Sequence, residues 1–187
     1  MSEILTSKKF FSILVTICFV QVIASLSISA QVATQDEPPA DVAPPPLRLI
    51  SKDEQKMLDS ENDIKKRVKV SLGLMDARLL KAEKLNTEES FKESLNELAS
   101  FQALLDNTLK FLIQRDTGND KIDKRFMDFE IYLRKQIPRL EIIRREMPEK
   151  YAYYVGRIMK DVREARAKAV EPLFSNTVVS ETKKNEN

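Results

Sequence analysis

The sequence predicts an all-α fold: a four-helix up-down bundle of long antiparallel helices, the third kinked at Pro138, behind a signal peptide and a proline-rich tether. Three observations predict it. From Ile50 onward, apolar residues recur at steps of three and four, the period of one helix face. No stretch of useful length alternates with period two, so no sheet is expected. The composition also suits long solvated helices, with 32% charged residues and only 3 glycines in 187 residues.

The first thirty residues read as an address. In MSEILTSKKFFSILVTICFVQVIASLSISAQ, Lys8 and Lys9 precede an apolar run that ends in small residues, the three-part pattern of a signal peptide over residues 1–30. Cleavage is expected before Ala30, behind Ser27 and Ser29, or before Gln31, behind Ile28 and Ala30. The competing expectation is an uncleaved anchor, because Phe10 to Ala30 is long enough to cross a bilayer, although Gln21 and the serines weaken it. Cys18, the single cysteine, sits inside this run without the context of a lipidated cysteine. Once the segment is removed no thiol remains for a disulfide, a nucleophile or a metal.

Residues 31–48, QVATQDEPPADVAPPPLR, hold five of the eight prolines. Proline lacks an amide donor and favours extended backbone, so this stretch reads as a polyproline-like linker spanning on the order of 50 Å. A docking ligand for a proline-reading module is the sharper alternative.

The bundle domain is expected over 49–174. Ser51 and Glu54 in SKDE form a capping-box signature that opens the first helix. Its stripe runs Ile64, Val68, Leu72, Met75, Leu79 and Ala82, and its first turns are expected to overhang the bundle. Asn86 to Glu89 repeats the cap pattern before a second stripe of Phe91, Leu95, Leu98, Leu105, Leu109 and Leu112. The third stripe is Ile122, Phe126, Phe129, Leu133, Ile137, Leu140, Ile143 and Met147. Within it, Pro138 cannot donate to the Arg134 carbonyl. Pro148 suits the first turn of a fourth helix, whose stripe is Tyr151, Val155, Ile158, Val162, Ala165 and Ala169. Pro172 is expected to end that helix, leaving 175–187 as a disordered polar tail.

Between the second and third stripes lies 115-RDTGNDKID-123, which contains the Asp-Thr-Gly of aspartic proteases and a calcium-loop density of acids. The protease triplet needs a β scaffold and a second carboxylate loop. An EF-hand counted from Asp116 puts Gly118, Lys121 and Met127 where two oxygen ligands and a glycine belong in another order. Gly118 at positive φ, with Asp and Asn capping the next amides, is turn chemistry, and a turn is expected.

Composition excludes several activities. With no histidine, Ser-His-Asp and Cys-His catalysis are impossible, as is a Glu-x-x-His diiron site. No metal site and no cofactor are expected, and the methionines Met57, Met75, Met127, Met147 and Met159 read as core gap-fillers. A carboxylate-based glycosidase is the remaining enzymatic alternative, but tryptophan is absent and the loops are too short to frame a sugar cleft. A net charge of +2 and acids interleaved through 157-RIMKDVREARAKAVE-171 argue against nucleic acid. Arg157 with Asp161, Lys160 with Glu164, Glu61 with Lys65 and Asp63 with Arg67 are expected as surface pairs.

Two features remain as candidate sites. Tyr153 in 150-KYAYYVGR-157 is expected outward, near Arg157 and near Arg144 or Arg145, as a contact point for a protein partner. Asp76, Thr108 and Glu130 border apolar stripes. They are expected either to converge in an inward polar network or to act separately, the acids on arginine or lysine and the threonine on its own helix. The function this predicts is an exported, periplasmic or secreted, non-catalytic interaction or scaffolding module. The alternative is a small-molecule carrier with a cavity inside the bundle. The expected partner is a protein; a membrane is expected only through an uncleaved N-terminal segment.

Overall fold

The structure is a computed structural model that describes the backbone of residues 41–184 and the side chains of residues 41–174. The expected signal peptide and the first part of the linker lie outside the described residues. The chain is all-helical, with five helices and no strand among the described residues: α1 (Lys52–Asp59), α2 (Ile64–Thr87), α3 (Phe91–Gln114), α4 (Asp120–Glu146) and α5 (Glu149–Lys184).

The expected capping box is present at α1, where Ser51 Oγ accepts from the Glu54 amide at 3.3 Å and Glu54 Oε2 from the Ser51 amide at 2.8 Å. The first helix is not continuous, however. It stops at Asp59 because Asp63 starts a new helix, its carboxylate accepting from the Lys66 amide at 2.9 Å. Arg67 closes the old one by donating to the Leu58 carbonyl at 2.6 Å. The expected overhang is corrected too: α1 packs back against α2, with Leu58 fully buried.

Asn86 is not the cap of the second helix. It lies buried in the last turn of α2 and donates to Glu146 at 2.7 Å. The helix ends through Glu89, which takes a left-handed conformation at φ 58°. The Ser90 amide then reaches back to Leu85 and the Glu89 amide to Asn86, the bonding of a Schellman end with glutamate in the glycine place.

Gly118 has φ 64° and its amide donates to Asp116 Oδ1 at 3.0 Å, while Asn119 Oδ1 accepts from the Lys121 and Ile122 amides. RDTGND is therefore a turn that caps α4. That helix runs without interruption through Pro138. Pro148 leads off α5 as its spacing implies, its carbonyl accepting from Tyr151 and Ala152. The end expected at Pro172 is overturned, since α5 continues to Lys184. Proline costs the helix one bond, to the Lys168 carbonyl, but its fixed φ is already helical.

Hydrogen bonds show how the helices lie. Ser94 Oγ donates to the Ala82 carbonyl, Arg78 reaches Glu97, and Ser71 meets Thr108, so the end of α2 faces the start of α3. At the α4–α5 seam, Arg166 sits on Glu130 at one end and Arg144 lies over Gly156 at the other. Within these seams Phe101, Phe126, Phe129, Met75, Leu79 and Leu133 are fully buried. All four stripes face this core, and α3 buries more of its circumference than its single stripe implied, including Ala99, Phe101 and Leu104. Met75, Met147 and Met159 fill the core, whereas Met57 and Met127 are exposed.

Candidate interaction face

The stretch KYAYYVGR occupies the first two turns of α5, and helical geometry divides its aromatics. Tyr151 turns inward with Val155 and stacks at 6.2 Å, tilted, against Phe91. Tyr153 is half-buried rather than fully outward and meets Tyr154 edge-on at 5.3 Å. Arg157, one turn on, is exposed. Arg144 approaches the same turns from α4, since a Cβ at Gly156 would lie 4.0 Å from its Cδ. Arg144 therefore lies beside Gly156, while Arg157 lines a surface with Tyr154 and Gln102.

Both neighbouring arginines are tied to Glu141. Arg144 donates to its two oxygens at 2.9 and 2.7 Å, and Arg145 to Oε1 at 2.8 Å. The Arg144 guanidinium first, and Arg145 second, bring the Glu141 carboxyl down to about 2. Arg145 remains 73% exposed, while Arg144 and Glu141 are more covered.

The face has a part that the sequence did not indicate. Residues 43–48, expected as passive linker, lie against α5 and α3. Tyr154 Oη donates to the Ala43 carbonyl at 2.8 Å, and the Ala43 amide donates to the Lys150 carbonyl at 3.2 Å. Arg48 pairs with Asp161 at 3.5 Å and Asp106 at 3.7 Å. A small cavity of about 160 Å³ lies between Pro45, Pro46, Gln102, Tyr154 and Arg157. The reason for docking is chemical: an extended proline segment makes no bonds of its own, so its carbonyls accept from donors on a neighbouring helix. No spacing in the sequence links Ala43 to Tyr154, which lie 111 residues apart.

Asp161 turns to Gln102 and Arg48, and no ion pair joins it to Arg157 among the described residues. Asp106 stands beside it, and its carboxyl is pushed up by burial and by the Asp161 charge, with Arg48 opposing. Asp63 is likewise engaged as a cap, and Arg67 reaches Asp59 at 3.4 Å.

Asp76, Thr108 and Glu130 do not converge. Asp76 accepts from Arg139 at 2.7 Å, beside Glu83, which Arg139 holds through both oxygens. Glu130 is held by Arg134 and Arg166, each at 2.7 Å. Thr108 donates to the Leu104 carbonyl at 2.7 Å and meets Ser71. A further cluster joins Arg78 to Glu54 and Glu97. Among the described residues no group of three or more acids is placed to hold a metal ion. No protein-family model, curated protein or solved structure matches this chain.

Proposed function

We propose that this chain is an exported, non-catalytic interaction module: an up-down bundle of the four long helices α2 to α5, bent at Pro138, that presents the α4–α5 seam to a protein partner. The observation that carries this reading is how the carboxylates are used. Glu54, Glu97 and Glu130 are the buried acids, and each is bonded to arginine bridging from another helix. For each, burial pushes the carboxyl up, but hydrogen bonds outweigh it and leave it below the ordinary value: from Arg78 and Ser51 to Glu54, from Lys81 and Arg78 to Glu97, and from Arg134 and Arg166 to Glu130. A general acid needs the opposite shift. Asp106 has it, yet its side chain is 58% exposed on an open surface and Arg48 covers it. These groups fasten helices together rather than turn over a substrate. Phe101, Phe126 and Phe129 fill the centre, which favours a contact surface over an internal carrier cavity.

Tyrosine and arginine are the residue types that most often dominate protein interfaces, and Tyr153, Arg144, Arg145 and Arg157 supply both at one seam. The test is chemical crosslinking in the protein's own source, comparing the unaltered chain with Tyr153→Ala/Arg145→Ala. The double variant should keep its helical circular dichroism and lose the crosslinked partner. Unchanged crosslinking would show that the face is wrongly placed. The intact mass of the same sample tests export, which requires a chain starting near Ala30 or Gln31.

A further inference from the structure

We propose a second site, at the loop end of the bundle, that binds a small amphipathic anion: an apolar body carrying a carboxylate or phosphate head. A concavity of about 620 Å³ opens where the α1–α2 link, the end of α3 and the first turns of α4 meet. That volume lies within the range of small-molecule pockets, roughly 300–1,000 Å³. The apolar part of its wall is supplied by Ile64 and Ile122 together with the hydrocarbon stems of the lysines and arginines that line it. Ile122 is buried and Ile64 packs on the core, so the lining continues the bundle interior outward.

The rim is cationic. Lys65, Arg115, Lys121, Lys124 and Arg125 surround the opening against two acids, Asp63 and Asp120. Five positive and two negative side chains leave +3 on ten lining residues, or +2 once Asp128, which pairs with Arg125, is counted. Asp63 is occupied in capping the Lys66 amide. Arg125 is held by Asp128 at 2.9 Å, and Arg115 lies over the Phe111 ring at 5.5 Å, which fixes two of the cations in place. Lys65, Lys121 and Lys124 make no ion pair among the described residues. An apolar wall with a positive rim discriminates by both properties. A bare anion gains nothing from the wall, and an apolar cation is repelled at the rim.

This site is independent of the α4–α5 seam and stands or falls without it. The experiment is calorimetric titration of the full chain at low salt with decyl phosphate kept below its micellar concentration. Inorganic phosphate and decyltrimethylammonium are titrated in parallel. Decyl phosphate should bind saturably and the other two far more weakly. Arg115→Glu/Lys121→Glu should weaken decyl phosphate on the order of tenfold or more at low salt, an effect that shrinks as salt is added. Arg163→Glu, an exposed reversal elsewhere on α5, should leave the affinity unchanged. Circular dichroism of each variant checks the fold. Three results overturn the proposal. One is equal binding of the cationic amphiphile, and another is indifference to the double reversal. The third is binding of anionic phospholipid vesicles without uptake of the monomer, which would assign the charged rim to a membrane surface.

Discussion

Replacing Arg78 with methionine would remove the link that joins α1, α2 and α3. The guanidinium donates to Glu54 through Nε at 2.8 Å and Nη2 at 2.7 Å, and to Glu97 through Nη1 at 2.6 Å. Arg78 is 20% exposed and each carboxylate only 11%, so solvent screens the cluster weakly. Methionine keeps the hydrocarbon packing but leaves two covered carboxylates without their shared cation. Removing one partner of a buried ion pair costs about 3–5 kcal/mol. The lower edge, about 3 kcal/mol, applies because Lys81 stays 2.6 Å from Glu97 and Ser51 still bonds Glu54. At a urea slope of about 2 kcal/mol/M, that lowers the unfolding midpoint by about 1.5 M.

The acid dependence supplies a second check. Burial raises the Glu54 and Glu97 carboxyls, yet their bonds, above all from Arg78 and Lys81, leave both below the ordinary 4.5. A depressed folded pKa contributes stability above the ordinary value and loses it as pH falls through the folded one. The gap between the native chain and Arg78→Met should therefore be full at pH 7 and shrink below about pH 4.5. Adding Glu54→Gln and Glu97→Gln to Arg78→Met should recover most of the loss, because no uncompensated charge then remains. Urea unfolding followed by circular dichroism measures all of this. A loss under about 0.5 kcal/mol, the level of an exposed surface pair, or a gap that persists in acid, would refute the reasoning.

Two further substitutions probe single positions. The Tyr132 hydroxyl is buried with no hydrogen-bond partner among the described residues, so Tyr132→Phe should raise stability by about 1 kcal/mol at neutral pH. Burial, and then Asp76, push that phenol above its ordinary 10.0 despite Arg139. Its contribution is complete below pH 10 and lost above it, so the native chain should weaken in alkali more than the phenylalanine variant when urea midpoints are compared. Glu89→Gly removes a side chain from left-handed backbone at φ 58° and should stabilise by about 1 kcal/mol. A lower thermal midpoint for that variant would show that the Glu89 side chain contributes more than the strain costs.

The helical class was legible because it depends on local periodicity. Val68, Leu98, Phe126, Leu133, Ile158 and Val162 could be assigned to the core from spacing alone, and all are buried. The Ser51–Glu54 cap and the Gly118 turn were legible for the same reason, since their bonds close within three residues. Helix ends set by competition were not. A cap at Ser51 followed by a stripe from Ile64 to Ala82 does not reveal that Asp63 caps a second helix, and Glu89 does not look like a glycine position. Least legible were contacts distant in sequence. Arg139 is 63 residues from Asp76, and Tyr154 is 111 from Ala43. The charged residues of α5 looked like a surface of local pairs, but Arg166 and Asp161 reach to α4 and α3.

Those distant bonds explain what the apolar stripes leave open. A one-sided stripe of leucine and phenylalanine specifies that a helix packs, but shifting it by a turn costs little where apolar side chains meet other apolar side chains. The arginine clusters are less tolerant. Arg78 meets both Glu54 and Glu97, Arg139 both Asp76 and Glu83, and Arg166 meets Glu130, only in this register. A one-turn slip of about 5.4 Å would take Arg78 from Glu54 and Glu97 and Arg166 from Glu130, leaving covered carboxylates short of the cations that bridge to them, the costly half of a buried ion pair. The same bonds that depress these carboxyls therefore penalise the competing packings. Charges so committed to alignment hold the helices in one register, a task the apolar stripes alone leave open.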